Sequence, residues 1–209
     1  MKLLNYRDWT VVSKQFEAAA PYRYVVLDDF LSKDIVDLLR EQLINHWGWR
    51  RKNWVSEHLH NAMPKNNLIN NLIDELNQEL LPIIGKLKYS NHWALMYLKN
   101  TEGNIHTDNA SLTITIWLTS DEYNMDTNTG GLLIYDVARP DDERISIDYI
   151  PENVGNYIKE KTKGNIFHIP YKMNRAVILD AALFHCTDSP NFDCTTPNGY
   201  RINFSIAYD

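Results

Sequence analysis

Apolar positions along this chain follow two different periods, and the change falls near residue 90. In the first part, apolar side chains recur every three or four positions over 35–47 and again over 68–81. That spacing predicts two amphipathic helices, each with one apolar stripe facing a core. A short apolar run over 22–30 precedes them and predicts a strand.

Sequence signals mark the ends of both predicted helices. Ser32 is placed to cap the first helix, and Asp34 is favourable in its first turn. Pro82 and Gly85 are expected to end the second helix. The core stripe predicted for the first helix consists of Ile35, Leu38, Leu39, Leu43, Ile44 and Trp47.

From residue 91 onward the period shortens towards two, and Gly, Pro, Asn and Asp separate short runs. The pattern predicts a mainly β architecture with flanking α-helices that buttress one sheet, as in a sandwich or jelly roll. We therefore predict a single domain over 1–209, with a mixed α/β segment over 1–90 and a β core over 91–209. The predicted strands are 93–99, 112–119, 131–137, 165–171, 176–179 and 201–208.

Two of these runs alternate almost perfectly between apolar and polar residues. In 111–119 one face is apolar and the other carries hydroxyl groups around Trp117, so the polar face is suited to line a cavity. In 201–208, Arg201, Asn203 and Ser205 share one face. The opposite face of that run is apolar and is predicted to pack in the core.

Composition narrows the class of protein without indicating a function. At 44% hydrophobic and 23% charged residues, the chain is typical of globular proteins. Its net charge of −6 argues against a nucleic-acid groove, which needs clustered cations. No run approaches the length of a membrane span and no signal peptide is recognisable, so a cytoplasmic protein without membrane or nucleic-acid partners is expected. The oligomeric state is not indicated.

The two cysteines, Cys186 and Cys194, match no zinc-binding spacing and are expected to be reduced thiols. Cys186 directly follows His185. If that segment is a strand, the Cys186 side chain points away from the face that carries His185. Cys186 is therefore assigned a structural role.

His106, Asp108 and His185 can supply two imidazoles and one carboxylate to a single metal ion. His106 and Asp108 lie two positions apart, so in an extended segment both side chains project to the same side. His185 follows about 80 residues later, and a β-sandwich can bring it beside the first pair. Such a set leaves three positions open on Fe(II), which suits an ion that binds an organic cosubstrate and oxygen together.

Arg201 lies about sixteen residues beyond His185, on the polar face of its predicted strand. An arginine on the interior face of a small barrel is costly unless it is paired. Its planar fork suits a carboxylate that accepts two hydrogen bonds. The implied partner is a dicarboxylic cosubstrate.

With these four residues the chain resembles the Fe(II)/2-oxoglutarate-dependent dioxygenases, most closely their prolyl-hydroxylase-like branch. They match the family's metal ligands and cosubstrate arginine in order and approximate spacing. The runs 130–133 and 174–177 resemble the strands that the family places between its ligands. The likeness covers about residues 22–208.

The resemblance implies a double-stranded β-helix, a jelly roll of the cupin-like kind, that holds Fe(II) and 2-oxoglutarate and consumes O2. The two histidines and the aspartate would be the catalytic metal ligands. The cosubstrate would chelate the iron through its 1-carboxylate and 2-keto group, while Arg201 holds its 5-carboxylate. Tyr97 matches a position where such enzymes place a tyrosine against the cosubstrate, and Asn203 is assigned to the same site.

The implied reaction is oxidative decarboxylation of 2-oxoglutarate to succinate and CO2, coupled to hydroxylation of an unactivated C–H bond. The substrate would be a small molecule, an amino acid or a peptidyl side chain. Related halogenases replace the carboxylate ligand with a small residue, and because Asp108 is retained here, hydroxylation is favoured. The absence of an obvious recognition module favours a metabolite over a protein side chain.

Two other classes are weighed against this interpretation. A cupin-like metal-dependent isomerase, or a small-ligand binding protein that does not activate oxygen, has no need of Arg201. A degenerate oxygenase fold that serves as an interaction protein would not keep the whole ligand set. The Arg201 position therefore discriminates between the classes.

Further histidines and one aromatic segment are alternative candidates for a site. His58 and His60 also have ligand spacing but are interpreted as part of a surface or substrate loop. His92 and His168 are expected to be structural. The segment 47–54 combines three tryptophans with three cations, and is either a substrate lid or a helix end packed by tryptophan.

Overall fold

The structure is a computed structural model that describes residues 2–52, 58–140 and 154–209. Its strands form a seven-stranded and a three-stranded sheet, and every pairing is antiparallel. The large sheet has the order β1-β8-β5-β10-β4-β3-β2, and the small sheet has the order β7-β6-β9. The strands are β1 Tyr24–Leu27, β2 Arg50–Lys52, β3 His58–Ala62, β4 Tyr89–Tyr97, β5 Leu112–Trp117, β6 Leu132–Ala138, β7 Ile166–Ile169, β8 Ala176–Asp180, β9 Leu183–Thr187 and β10 Arg201–Tyr208.

The two sheets form a double-stranded β-helix, so the predicted fold class is confirmed. Strands from the β core alternate between the sheets along the chain: β5 lies in the large sheet, β6 and β7 in the small one, β8 in the large one and β9 in the small one. Strand β10 then returns to the large sheet, between β5 and β4. Arg201 is thereby placed in the middle of that sheet.

In the described parts of the chain five helices accompany the sheets, and four of them share a core with the outer face of the large sheet. This core joins α1–α4 to apolar residues of β5, β8 and β10, such as Ile116, Ile178 and Phe204. The prediction that helices buttress one sheet is therefore confirmed. The helices are α1 Trp9–Ala18, α2 Lys33–Ile44, α3 Asn67–Glu79, α4 Leu81–Ile84 and α5 Val154–Lys161.

Helix α2 starts where the sequence predicts, but its cap and its stripe differ from the prediction. Ser32 occupies the cap position without a capping side-chain bond, and its hydroxyl donates to the Lys2 carbonyl at 3.3 Å instead. The helix ends at Ile44, so Trp47 lies beyond it and is 83% exposed. Leu38 is also exposed. Placing Leu38 and Trp47 in the core stripe was wrong.

Helix α3 is capped by Asn66, whose side-chain oxygen accepts from the Ile69 N–H at 2.8 Å. It ends at Glu79, close to the predicted end. Pro82 does not terminate it but lies in the first turn of the short helix α4, where a missing N–H costs nothing. Gly85 ends α4, in the positive-φ conformation that glycine tolerates.

The alternation read from β5 and β10 is confirmed. Ile114 and Phe204 point into the helix-covered core, while Thr115 and Asn203 face the space between the sheets. Cys186 of β9 is buried on the side away from that space, and its sulfur lies 3.9 Å from the Tyr135 hydroxyl. Among the described helices, none is long and apolar enough to cross a bilayer.

Candidate metal centre and its cavity

His106, Asp108 and His185 converge at one point between the sheets. Their ligand atoms all lie within 4.8 Å of one another. Asp108 Oδ1 is 4.0 Å from His106 Nε2, and Asp108 Oδ2 is 3.7 Å from His185 Nε2. The three residues that the sequence predicts as a set are therefore brought together, with both carboxylate oxygens directed towards imidazole nitrogens.

Main-chain pairing explains how residues so distant in sequence meet. His106 and His185 form an isolated antiparallel bridge in which each N–H donates to the other's carbonyl, at 3.0 and 2.9 Å. Asp108 is held next to this bridge by its own N–H, which donates to the Ala181 carbonyl at 3.1 Å. The segment that carries His106 and Asp108 thus lies alongside the one that carries His185.

Hydrogen bonds on the far side of each ring select the tautomer. His106 Nδ1 lies 2.8 Å from the Asn104 carbonyl, and His185 Nδ1 lies 2.9 Å from the Leu183 carbonyl. A carbonyl oxygen only accepts, so both Nδ1 atoms carry the proton. In a neutral ring this tautomer leaves the Nε2 lone pair free, which is the arrangement that metal-binding histidines adopt.

Burial also favours the neutral form of the His106 ring. Burial lowers the pKa of His106 to about 4, and the neighbouring His185 lowers it further, while Asp108 opposes the shift. At neutral pH the ring is therefore uncharged. A neutral imidazole is the form that binds a metal ion, so His106 can bind one without first losing a proton.

Arg201 is buried at the first residue of β10, with 2% of its surface exposed. Its Nε donates to the Gly130 carbonyl at 2.8 Å, and its Cζ lies 5.0 Å from the Tyr97 ring centre and 5.8 Å from that of Tyr171. One terminal nitrogen, Nη1, is buried without a hydrogen-bond partner among the described residues. Burial lowers the pKa of Arg201, which reflects the cost of enclosing its charge.

The unsatisfied Nη1 of Arg201 indicates whether a dicarboxylate fits the cavity. A buried guanidinium nitrogen without an acceptor is unfavourable, and an anionic group at this point would satisfy it. The rings of Tyr97 and Tyr171 flank the guanidinium and restrict its orientation. The site therefore suits a carboxylate bound at Arg201 by a ligand that also reaches the metal ligands.

Tyr97 and Asn203 lie where the sequence prediction requires them. Tyr97 is directly opposite Arg201 on β4, is 3% exposed, and its hydroxyl is 3.5 Å from Thr187 Oγ1. Asn203 is two residues further along β10. Its side-chain oxygen is buried and has no partner in the described parts of the chain, so it is available to a ligand. Their roles stay predictions.

One cavity contains all six predicted residues. It opens to solvent, and its empty space, with the open mouth included, is about 500 Å³. A hydroxyl pair, Thr115 and Ser205 with their oxygens 3.0 Å apart, forms part of the wall. The lining residues are Trp93, Leu95, Tyr97, Gly103, His106, Asp108, Thr115, Trp117, Leu132, His185, Thr187, Arg201, Asn203 and Ser205.

The lining also contains residues that the sequence analysis did not single out. Trp93 and Leu95 share the inward face of β4 with Tyr97, and Thr187 shares the inward face of β9 with His185. The same two-residue period that paired His106 with Asp108 would have found them. Neither run has the near-perfect alternation of β5 and β10, so its inward face is less apparent from the sequence.

The remaining histidines lie outside this cavity. His58 is 2% exposed in β3, with its ring centre 5.7 Å from that of Tyr97, so assigning it to a surface or substrate loop was wrong. His92 is buried and bonded to Tyr89 and the Pro64 carbonyl, as a structural histidine should be. His168 bonds Asp188 at 2.6 Å.

The segment 47–54 is described only in part. Trp54 and its neighbours in 53–57 lie outside the described residues, so the lid hypothesis remains a prediction. Trp47 is largely exposed, whereas the indole of Trp49 donates to the Leu43 carbonyl at 3.0 Å. Trp49 therefore packs against the end of α2, which is what the helix-end interpretation expects.

No protein-family model matches this sequence, and no curated protein matches it. Solved structures do share its fold. SnoN, a non-haem α-ketoglutarate-dependent epimerase from nogalamycin biosynthesis, is 14% identical with a TM-score of 0.68, covering 96% of this chain and 81% of SnoN. A Pseudomonas putida prolyl-4-hydroxylase is 12% identical with a TM-score of 0.63, covering 94% and 97%.

A third structure was obtained with ligands. HygX from Streptomyces hygroscopicus, solved with nickel, 2-oxoglutarate and hygromycin B bound, is 11% identical with a TM-score of 0.62, covering 93% of this chain and 86% of HygX. At such identities the likeness establishes a common fold. It agrees with the double-stranded β-helix read from the strand order.

Proposed function

We propose that this protein is an Fe(II)- and 2-oxoglutarate-dependent dioxygenase that hydroxylates an unactivated C–H bond. One observation carries the proposal: a set of two histidines and one carboxylate shares a cavity with a buried arginine whose Nη1 lacks an acceptor among the described residues. A metal site alone would suit many activities. A metal site facing an unsatisfied guanidinium suits a ligand with a carboxylate at its far end.

Each residue has a distinct task in this proposal. His106, Asp108 and His185 would hold the ion on one side and leave its other positions open. Arg201 would bind the 5-carboxylate, with Tyr97 limiting how the guanidinium turns. When bound, the iron and 2-oxoglutarate together supply the oxidising chemistry, with release of succinate and CO2. The chain itself binds, orients and keeps water away from the site.

The substrate class is inferred from the cavity-lining residues that are not assigned to the metal or to 2-oxoglutarate. Among the described residues that line the cavity, the ionisable side chains are those of His106, Asp108, His185 and Arg201 and the Tyr97 phenol. Uncharged hydroxyl, indole and aliphatic groups surround the remaining space, which suits a neutral portion of a metabolite. The neighbours named as a prolyl-4-hydroxylase and as a hygromycin B complex support small-molecule and peptidyl substrates alike.

The competing class is a cupin-like isomerase or ligand-binding protein that does not activate oxygen. Such a protein would have no use for a buried, incompletely bonded arginine in its cavity, because that group is costly without an anionic ligand. Hydroxylation is preferred over halogenation because the chain retains the Asp108 carboxylate at the proposed ligand position. The epimerase neighbour indicates that this fold also supports a different outcome.

The experiment that tests the proposal is anaerobic reconstitution with Fe(II) and 2-oxoglutarate. Chelation of iron by the keto acid produces a metal-to-ligand charge-transfer absorption band, which is expected here and should be absent with succinate in place of 2-oxoglutarate. Oxygen is then admitted with a panel of metabolites, and succinate release is measured. A protein that binds Fe(II) but gives no band with 2-oxoglutarate would contradict the proposal and favour the cupin-like class.

A further inference from the structure

Arg139 lies behind the metal centre, immediately after β6, and does not line the cavity. It is 6% exposed, and its main-chain N–H donates to the Ala182 carbonyl at 2.9 Å. Its guanidinium donates to three main-chain carbonyls. Nη1 binds those of Asp108 and Ala181, the latter at 3.2 Å, and Nη2 binds that of Ala110 at 3.0 Å.

These carbonyls belong to the two segments that supply the metal ligands. Asp108 and Ala110 lie in the segment that contains His106, whereas Ala181 lies in the turn between β8 and β9, four residues before His185. The Asp108 N–H also donates to the Ala181 carbonyl. Both main-chain polar groups of Asp108 are therefore hydrogen-bonded. Its N–H is bonded to Ala181, and its C=O, which accepts no other described main-chain bond, accepts from Arg139.

We propose that Arg139 is a positioning residue for the metal centre, which holds the Asp108 backbone so that its carboxylate faces both histidines. The inference rests on the proposed function, because it concerns the ion that the two histidines and the aspartate would bind. With its main chain fixed on both sides, Asp108 can move its carboxylate only by side-chain rotation. The carboxylate oxygens then stay 4.0 and 3.7 Å from the two Nε2 atoms before an ion arrives.

The planar fork of arginine is what this arrangement needs. Two terminal nitrogens at a fixed angle reach acceptors on two separate segments, and a lysine ammonium is a compact charge that lacks this geometry. Ala110, Ala181 and Ala207 pack together beside the Arg139 guanidinium. Their small side chains let the segment with Asp108 approach the turn before His185 closely. Replacing the fork should therefore loosen the Asp108 segment while leaving the sheets intact.

The test compares anaerobic Co(II) and Fe(II) binding to Arg139→Lys, Arg139→Met and the unaltered protein. Partners that orient metal ligands typically contribute about 10–100-fold to metal affinity, and a weakening of that size is expected in both variants. The visible spectrum of bound Co(II), which reports ligand geometry, should change as well. Arg7→Lys is the matched control, because Arg7 also donates to two main-chain carbonyls, those of Asp28 and Asp29, far along the chain from the ligands.

Thermal unfolding of the metal-free proteins separates positioning from general stability. If Arg139→Met does not fold, Arg139→Lys carries the comparison. Variants that lose stability as Arg7→Lys does, yet bind Co(II) with unchanged affinity and spectrum, would overturn the inference and leave the proposed function intact. An unaltered protein that binds neither ion would refute the proposed function, and the inference with it.

Discussion

The main chains of His106 and His185 hydrogen-bond each other reciprocally, at 3.0 and 2.9 Å, although 78 residues separate them. The two rings therefore start from directly opposed backbone positions, with ring centres 4.5 Å apart. A slip of one residue in this pairing would turn one ring to the opposite face of its strand and dismantle the set. Register, more than side-chain packing, defines the metal site.

The first prediction concerns the ligands themselves. His106→Ala and Asp108→Ala should each abolish Fe(II)-dependent succinate formation, because two remaining ligands do not hold the ion in the required geometry. The measurement is succinate release together with anaerobic metal titration. His168→Ala is a suitable control, since that histidine pairs with Asp188 outside the cavity and its loss should leave metal binding unchanged. Full turnover in either ligand variant would rule out the proposed ligand set.

The second prediction concerns the cosubstrate. Arg201→Met should raise the 2-oxoglutarate concentration needed for half-maximal absorption or turnover while leaving metal affinity nearly unchanged. Loss of one partner from a buried charged hydrogen-bond pair costs about 2–5 kcal/mol, which corresponds to roughly 30-fold or more. The same metal titration on the variant is the control. An unchanged cosubstrate requirement would remove Arg201 from the site.

The third prediction concerns stability without ligand. Because Arg201 is buried with one terminal nitrogen lacking an acceptor in the described structure, its replacement by methionine should leave the ligand-free protein at least as stable as before. Calorimetry with metal already bound should also show that adding 2-oxoglutarate raises the unfolding temperature of the unaltered protein further, but not that of Arg201→Met. A large fall in the ligand-free unfolding temperature would mean that Arg201 is mainly a structural anchor for Gly130.

The fourth prediction concerns acid stability. Asp28 accepts hydrogen bonds from Arg175 at 2.6 Å and Lys172 at 3.0 Å, which lower its pKa from 3.8 to about 2. The folded state binds the proton less tightly than the unfolded state, so the contribution is full above pH 3.8 and is lost as pH falls towards 2. Since 39% of the side chain is exposed, the contribution should be about 1 kcal/mol or less.

Denaturant unfolding of Asp28→Asn from pH 6 to pH 2 checks this prediction. The variant should be less stable than the unaltered protein at pH 6, and the difference should shrink through the window between pH 3.8 and 2. A constant difference across that range would show that the Asp28 carboxylate contributes nothing through its ionisation. Lys172→Met tests the weaker of its two partners separately.

Much of the β core could be predicted because its faces are chemically distinct. Alternation in β5 and β10 gave both the strands and the inward residues Thr115, Trp117, Asn203 and Arg201, and the spacing of His106 and Asp108 gave two ligands. Here one face is buried against helices and the other lines a polar cavity. Local sequence then specifies orientation unambiguously.

Other elements carry weaker local signals. Helix α1 buries only Trp9, Val12 and Phe16, and strand β2 consists of three exposed cations that form a strand only because β3 pairs with it. Tertiary context decides such segments. The same holds for Leu38 and Trp47, whose apolar character satisfied the helical period although both side chains are exposed in the described structure. Arg139 escaped notice because carbonyl acceptors leave no trace in a sequence.

Strand β10 fills the gap between β4 and β5, and these two are not paired with each other directly. During folding, the two halves of the large sheet are therefore joined only when β10, which begins 84 residues after Trp117, pairs with both β5 and β4. Such non-local pairing is slow to form, because the entropy of closing a long loop must be overcome first. Insertion of this strand closes the sheet and delivers Arg201 to the cavity in the same event. A partly folded chain would have neither.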